Sequence, residues 1–406
     1  MRIHRAFFIV PIGCLTVLGS LGFGRFSYAL FLPGMEKTLG WSTAGAGVVA
    51  SFAFGGYLLG AVSAGGLASR FGPRRVIFPS MVLVALGLAL TALSQGYALA
   101  LIGQILTGLG TGGANVPVMA LGMSWVGRRW RALASGLLVA GSGIGLVISG
   151  ALVPALAAAY GGEGWRYGWA LLALGSLLLG ILGYLVFRDR PEDVGLRPLG
   201  ESGESGTAEP LRTFSRRLVW HLGVIYFMFG LSYVAFTTFF GAYLTADRGF
   251  SLAAAGSLWS WVGIGTLPSG IIWGFVADRI GHRRGLALVY ILQGGFLLLF
   301  GLALTRLDIV WSALAYSLML WSVPAIMAAM VLDYFGRSLA AAALGILTLF
   351  FGVGQLLAPV LSGLLAQSTG SFGPVFALLA LGPTAGALLA LLLPRDERQP
   401  ATLSVN

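Results

Sequence analysis

Long apolar runs alternate with short polar stretches along almost the whole chain. Most of these runs reach the roughly 20 residues that a helix needs to cross a bilayer. Lipid offers no partners to backbone amides and carbonyls, so segments of this kind are predicted to be helices. The pattern predicts twelve transmembrane helices, at about residues 6–33, 42–66, 76–95, 98–125, 131–157, 165–187, 218–244, 252–276, 284–304, 309–332, 340–367 and 373–394.

The longest polar stretch separates the sixth predicted helix from the seventh. Residues 188–217 are rich in Arg, Glu, Gly, Ser and Pro, a composition typical of a linker. We therefore predict an all-α membrane protein of two six-helix bundles, at 1–187 and 218–406, joined by a cytoplasmic linker.

The two predicted bundles repeat one another in sequence. The segment GGLASRFGPRR at 65–75 follows the second predicted helix, and GFVADRIGHRR at 274–284 follows the eighth, an offset of 274 − 65 = 209 residues. The same offset carries Gly127 onto Gly336 and Gly143 onto Gly352. One shift that matches separate loops and a helix indicates a duplicated, pseudo-symmetric unit.

Composition and charge placement support a membrane protein with a defined orientation. Of the residues, 57% are hydrophobic and 10% are charged, whereas a soluble protein has about 25% charged residues. With the predicted loops, 20 of the 25 Lys and Arg residues lie on one side, four lie on the other, and Arg25 lies within a span. This bias is the positive-inside rule, and it places both termini in the cytoplasm. It explains the net charge of +11 without nucleic acid.

The repeated loop has the pattern Gly-x-x-x-Asp-Arg-x-Gly-x-Arg-Arg, and the fifth predicted helix carries the glycine-rich segment 141–145. In these features the chain resembles the major facilitator superfamily over its whole length. The resemblance implies two six-helix halves that rock around a substrate site near the membrane midplane. It also implies a transporter rather than an enzyme, and no cofactor is predicted.

The resemblance further implies that the repeated loops form part of a cytoplasmic gate. Ser69 departs from the pattern, because the superfamily usually has Asp there, as Asp278 does in the second copy. A serine can cap a helix but brings no charge. The first of the two loops is therefore expected to hold the gate, as a latch, more weakly than the second. Alternatively, the arginines of these loops only set the topology. The predicted gating residues are Ser69, Arg70, Gly72, Arg74, Arg128, Asp278, Arg279, Gly281, Arg283 and Arg337.

Arg25 is the candidate on which the functional prediction depends, because it is the only charged residue of the apolar run 6–32. A charge at membrane depth costs a few kcal/mol or more and usually marks a functional site. Tyr28 lies three residues further on and shares its helix face. All 14 acidic residues are predicted in loops or at helix ends, so an anionic substrate is the expected counter-ion of Arg25. Proton coupling through a buried carboxylate is not expected. The alternative is that Arg25 reaches the outer interface with its long side chain.

In this superfamily the first, fourth, seventh and tenth helices line the central cavity. Polar and aromatic residues on these helices, with one on the eleventh, are therefore predicted to contact substrate beside Arg25 and Tyr28: Thr111, Asn115, Tyr226, Tyr233, Thr237, Ser317, Trp321 and Gln355. Alternatively, such side chains join helices through hydrogen bonds or fill space between them.

The sequence thus predicts a secondary transporter, a symporter or antiporter, in the cytoplasmic inner membrane of a bacterium. The predicted cargo is a small organic anion, a monocarboxylate, carried by a monomer with or without a proton. The end of the first helix at 28–33 and Gly-Trp-Ser at 40–42 resemble the monocarboxylate and oxalate/formate branch. They also resemble a bacterial subgroup that carries Gly-Phe-Gly-Arg-Phe, as this chain does at 22–26. That branch carries an arginine in its eighth helix, and 252–276 has none. Alternatives are an exporter of amphipathic drugs, a membrane enzyme and a sensor.

Overall fold

The computed structural model describes residues 4–127, 130–200 and 215–394. Arg128 and the middle of the predicted linker, 201–214, lie outside the described residues, as does the side chain of Arg337. The described part is helical apart from short connections and one isolated parallel bridge between Val126 and Leu199.

The helices of the N-terminal half follow the predicted apolar runs. They are α1 Ala6–Val17, α2 Tyr28–Leu39, α3 Thr43–Phe71, α4 Pro73–Ala92, α5 Tyr97–Ser124, α6 Arg131–Tyr160 and α7 Gly164–Val186. A wider π-helical segment, Leu18–Phe26, connects α1 to α2, so the three form one long span. This span continues to Leu39, six residues beyond the predicted end, and takes Glu36 into the helix.

The helices of the C-terminal half are α8 Arg216–Ala242, α9 Leu252–Thr266, α10 Ser269–Ile280, α11 His282–Leu302, α12 Arg306–Ser317, α13 Ser322–Thr369, α14 Gly373–Leu379 and α15 Leu381–Leu391. Helix α13 contributes to two spans, Arg306–Gly336 together with α12 and Ala342–Thr369 alone, because its backbone breaks at Gly336 with φ 70°. A short π-helical segment, Tyr243–Asp247, extends α8.

The helix bounds repeat with the same shift of 209 residues as the sequence. The shift relates the starts of α3 and α9, α4 and α11, α5 and α12, and α7 and α14. Gly72 and Gly281, which precede α4 and α11, also match, with φ values of 87° and 91°. Such a backbone strongly favours glycine, which explains why both loops keep one at this position.

Within the described residues, ten helical segments are long and apolar enough to cross a membrane. One of them, Leu133–Val186, contains most of α6 and all of α7, and the pair α9 and α10, bent by 41°, passes the same test when the two are taken together. Counting α6 and α7 separately and α9 with α10 as one span is consistent with the twelve predicted helices. The predicted fold class, an all-α protein with multiple transmembrane helices, is confirmed.

The chain packs into two compact units that do not follow the midpoint of the sequence. Unit 1 contains Met1–Glu204, Ala235–Leu267 and Pro359–Phe372, and unit 2 contains Ser205–Val234, Pro268–Ala358 and Gly373–Asn406. Unit 1 therefore includes parts of α8 and α13 and the whole of α9 beside the N-terminal helices. The division into bundles at 1–187 and 218–406 stays a prediction based on the repeat.

Small residues bring the helices of unit 1 close together. A Cβ on Gly60 would lie 2.1 Å from the carbonyl oxygen of Leu109, so α3 and α5 touch backbone to backbone. A Cβ on Gly145 would lie 2.2 Å from the Cα of Gly22. Contacts of this kind explain many of the 62 glycines, because helices in lipid associate largely through close packing.

Candidate functional site

The candidate site begins with the π-helical segment Leu18–Phe26, which contains Arg25. The hydroxyl of Ser27 donates a hydrogen bond to the carbonyl of Gly22, five residues earlier, at 3.3 Å. π-Helical turns inside α-helices are rare and often mark functional sites. The wider turn changes the direction in which Arg25 leaves the helix, which the sequence pattern did not indicate.

A pocket lies beside this segment, wholly within unit 1. It contains about 480 Å³ of space free of atoms, including the part that opens outward. The residues that line it come from the first span and from α3, α5 and α8. They are Gly24, Arg25, Tyr28, Ala50, Ala53, Phe54, Tyr57, Gln104, Gly108, Thr111, Thr237 and Thr238.

The guanidinium of Arg25 lies among aromatic rings in this pocket. Its Cζ is 4.2 Å from the ring centre of Phe54, 5.5 Å from that of Phe26 and 5.6 Å from that of Tyr57. A cation over a ring face is attracted by the ring quadrupole, more strongly where water is excluded. The lining residues that the structure describes include no carboxylate. The pocket therefore combines one positive charge and a wall of aromatic rings with the polar side chains of Gln104, Thr111, Thr237 and Thr238.

Hydrogen bonds to the backbone hold the polar lining residues in place. The hydroxyl of Thr111 donates to the carbonyls of Ser20, at 3.1 Å, and Thr107, at 2.7 Å. The hydroxyl of Tyr28 donates to the carbonyl of Ala46 at 3.0 Å. These bonds join the first span to α5 and α3, so the side chains around Arg25 are preorganised by helix packing.

Four of the predicted contact residues line the pocket together: Arg25, Tyr28, Thr111 and Thr237. Asn115 lies behind it, where its amide donates to the hydroxyl of Tyr57 at 3.3 Å. It thus supports a pocket wall in the structure. A role of these residues in binding stays a prediction.

The remaining predicted contact residues lie in unit 2, and most of them meet in an aromatic cluster. The ring of Tyr226 stacks on Phe351 at 4.6 Å, and Trp321 meets Tyr233 edge-on at 5.9 Å. The amide of Gln355 donates to the hydroxyl of Tyr233 at 2.9 Å. Ser317 is buried as well, but its hydroxyl donates to the carbonyl of Leu314 in its own helix.

Sequence reasoning missed one wall of the pocket. Phe54 and Tyr57 come from α3, which was not among the helices expected to line a cavity. Gln104 and Thr238 were missed too, although Gln104 lies two helical turns before Thr111 and shares its face. That spacing is a signal that the sequence offers.

The first repeated loop is held by a carboxylate that the sequence motif does not contain. Asp189, just after α7, accepts a hydrogen bond from the backbone N–H of Arg74 at 2.7 Å, in the first turn of α4. The side chain of Arg74 donates to the carbonyl of Tyr184 and stacks on its ring at 4.3 Å. Ser69 instead donates to the carbonyl of Gly66 in its own helix.

The second repeated loop carries a different arrangement. The ring of His282 lies between the carboxylates of Asp278, at 3.0 Å, and Asp333. Arg279 stacks on the ring of Phe275 at 4.0 Å, and Arg283 donates to the carbonyl of Leu391. The two loops thus share a backbone conformation but are fastened by different side chains.

Comparisons with known proteins agree with this architecture. The family description "Major Facilitator Superfamily" matches the chain over residues 14–323 and 264–405. The probable sulfoacetate transporter of Cupriavidus necator is 25% identical over 98% of this chain and 96% of its own length. The 4-hydroxybenzoate transporter of Pseudomonas aeruginosa is 26% identical over 70% of this chain and 69% of its own.

Among solved structures, a D-xylose–proton symporter superposes with a TM-score of 0.76 and 15% identity, covering 96% of this chain and 98% of the symporter. At this identity the likeness concerns the fold alone. Together with the match of the family over nearly the whole chain, it confirms the resemblance that the repeated loops indicated. The chain belongs to the major facilitator superfamily, and it is a transporter of the membrane rather than an enzyme.

Proposed function

We propose that the protein is a secondary transporter that moves a small organic anion with a single negative charge, a monocarboxylate, by alternating access. The observation that carries this proposal is the guanidinium of Arg25 in the aromatic-walled pocket of unit 1. A guanidinium binds a carboxylate through two parallel charge-assisted hydrogen bonds, and the rings exclude water from that pair.

The charge and the walls of the pocket both favour a monoanion with an apolar body. Arg25 is the only cationic side chain among the lining residues that the structure describes. Sulfoacetate, named for one relative, has two anionic groups, whereas 4-hydroxybenzoate, named for another, has one anionic group and a ring. A single guanidinium beside Phe54 and Tyr57 fits the second type of substrate better. Cationic drugs fit poorly, because the pocket would repel them.

We place the protein in the cytoplasmic membrane of a bacterium with both termini in the cytoplasm, as the distribution of Lys and Arg predicts. The site then loads an anion from one side and releases it on the other as the halves rock.

The proposal is tested by binding and uptake with the purified, reconstituted protein. The probes are benzoate, 4-hydroxybenzoate, pyruvate and sulfoacetate, with a quaternary ammonium as cationic control. We expect a monocarboxylate to raise the melting temperature and to be taken up by proteoliposomes. Arg25→Ala removes two charge-assisted hydrogen bonds, each worth about 1.5–3 kcal/mol, so affinity should fall about 100-fold or more.

Arg25→Lys keeps the charge but loses the planar pair of N–H donors. Its affinity for the anion should therefore lie between those of wild type and Arg25→Ala. Lys37→Ala, which removes an exposed cation from the same span, is the matched control and should bind normally. An Arg25→Ala protein with wild-type affinity for the transported anion would disprove the proposal.

A further inference from the structure

Helix α2 contains a carboxylate that the proposed anion site does not use. Glu36 lies in its last turn, which ends at Gly40 with φ 65°. The backbone carbonyl of Glu36 accepts hydrogen bonds from the N–H groups of Gly40 and Trp41. The side chain is therefore attached to the last turn of a helix, whereas the predicted first helix ended at residue 33, before Glu36.

The carboxylate of Glu36 is partly buried, and its Oε1 accepts no hydrogen bond from the residues that the structure describes. It takes part in none of the ion pairs among those residues either. An ionised carboxylate in such surroundings costs several kcal/mol, whereas the neutral acid costs much less.

Neighbouring charges do not remove this cost. Lys37 follows in the chain and is exposed. A short 3₁₀ turn, Gly161–Glu163, and α7 both pack against α2. Glu163 of this turn pairs with Arg166 of α7, which also donates to backbone carbonyls. Arg248, beyond the end of α8, donates to the hydroxyl of Tyr243.

The remaining titratable groups on these elements and nearby are mainly phenols. Tyr160 of α6 stacks on Tyr167 of α7. Tyr97 of α5 donates to the carbonyl of Gly45. Tyr28 of α2 lines the pocket of Arg25. It lies on the same helix as Glu36, about 12 Å along the axis toward the anion site.

Parts of the C-terminal half pack beside the first span within unit 1, and α9 contacts α2 itself. A Cβ on Gly241 of α8 would lie 2.2 Å from the carbonyl oxygen of Ala29. The N–H of Val360 in α13 donates to the hydroxyl of Ser51 at 3.0 Å. Because the Oε1 atom of Glu36 is itself buried and accepts no hydrogen bond from the described residues, its surroundings favour the neutral carboxyl.

We propose that Glu36 is a proton-binding site that couples anion transport to proton movement. The carboxylate takes one proton when this end of the transporter is open. The helices that pack against α2, among them α7 and α9, then close over the resulting acid. The proton leaves toward the anion pocket, past Tyr28, when the carboxyl becomes hydrated from that side. One proton and one monoanion then cross together without net charge. The inference rests on the proposed anion transport and on the proposed orientation of the protein in the membrane.

The test separates coupled uptake from exchange. Proteoliposomes containing wild-type protein receive labelled 4-hydroxybenzoate with the outside more acidic by about one pH unit, a gradient that sustains about tenfold accumulation in one-to-one symport. Trapped pyranine should report acidification of the interior, and protein-free liposomes correct for diffusion of the free acid. Glu36→Gln should lose accumulation and acidification but keep exchange of 4-hydroxybenzoate between both sides, which needs no net proton transfer.

Glu192→Gln makes the same change at an exposed glutamate outside the ion pairs described above and should behave like wild type. Glu36→Asp keeps a titratable group and should keep coupling. Accumulation by Glu36→Gln at the wild-type ratio would overturn the inference while leaving anion transport intact.

A second measurement needs no transported substrate. Infrared difference spectra of the protein titrated between about pH 5 and about pH 8 should show a carboxylic acid C=O band in wild type that Glu36→Gln lacks. Identical spectra of wild type and Glu36→Gln would overturn the inference, whether or not 4-hydroxybenzoate is transported. A lack of 4-hydroxybenzoate transport would count against the proposed function alone.

Discussion

The contact between Arg25 and Phe54 allows a direct test of how the pocket holds its charge. Phe54→Leu removes the ring whose centre lies 4.2 Å from the guanidinium carbon but keeps an apolar side chain of similar length. A cation–π contact of a desolvated pair contributes about 2 kcal/mol. Phe26 and Tyr57 remain at 5.5 and 5.6 Å and retain part of that attraction. We therefore expect a loss of about 1–2 kcal/mol in anion binding, or about 5- to 30-fold in Kd.

The assay is titration of the purified variant with 4-hydroxybenzoate, followed by calorimetry or by the shift in melting temperature. Phe54→Tyr keeps the ring and should bind within about twofold of wild type. Phe52→Leu is the matched control on the same helix, because Phe52 is 52% exposed whereas Phe54 is 6% exposed. An unchanged Kd for Phe54→Leu, or an equal loss for Phe52→Leu, would refute the argument that this ring positions the guanidinium.

Two further predictions concern stability. Gly145→Ala should lower the free energy of unfolding by about 1–3 kcal/mol or more, because its Cβ would lie 2.2 Å from the backbone of Gly22. Gly136→Ala is the control, because a Cβ at Gly136 would meet no atom within 4 Å, and it should have little effect on thermal unfolding. Asp189→Asn should speed hydrogen exchange in the first turn of α4 by about fivefold, since it weakens a cap worth about 1 kcal/mol. The exposed Glu192→Gln is the control, and equal exchange rates in the two variants would contradict the assigned role of Asp189.

Much of the fold could be predicted because two independent patterns agreed. The apolar runs located the helices, and the shift of 209 residues that relates Gly72 to Gly281 also relates the helix starts in the structure. Backbone hydrogen bonding in lipid allows few alternatives to a helix, so hydropathy alone carries strong structural information.

The candidate site was predicted less completely, for a geometric reason. Arg25 could be selected because a charge is conspicuous in an apolar run, and Tyr28 followed from helical spacing. The π-helical segment around Arg25 and the wall formed by Phe54 and Tyr57 depend on which faces of the helices meet. Hydropathy does not encode that pairing when most helices are apolar on every side.

Glu36 and Asp189 show the same limit for charged residues. The sequence placed both in loops or at helix ends, so proton coupling through a buried carboxylate was not expected. A carboxylate near a helix end can be exposed or covered, and the difference depends on segments far away in sequence. For Asp189 the partner is Arg74, 115 residues earlier. For Glu36 the helices that pack against α2 include α9, which begins only at Leu252.

The two repeated loops show how a duplicated unit can keep one geometry with different chemistry. A glycine with positive φ precedes α4 and α11 alike, so both loops turn in the same way and expose a helix N-terminus. An N-terminus attracts negative charge, because its first N–H groups lack partners within the helix. In the first copy Asp189 supplies that charge from outside the motif, although Ser69 carries none. The absence of an aspartate at position 69 therefore does not leave α4 without a carboxylate, and the strength of this latch depends on residues that no comparison of the two motifs would reveal.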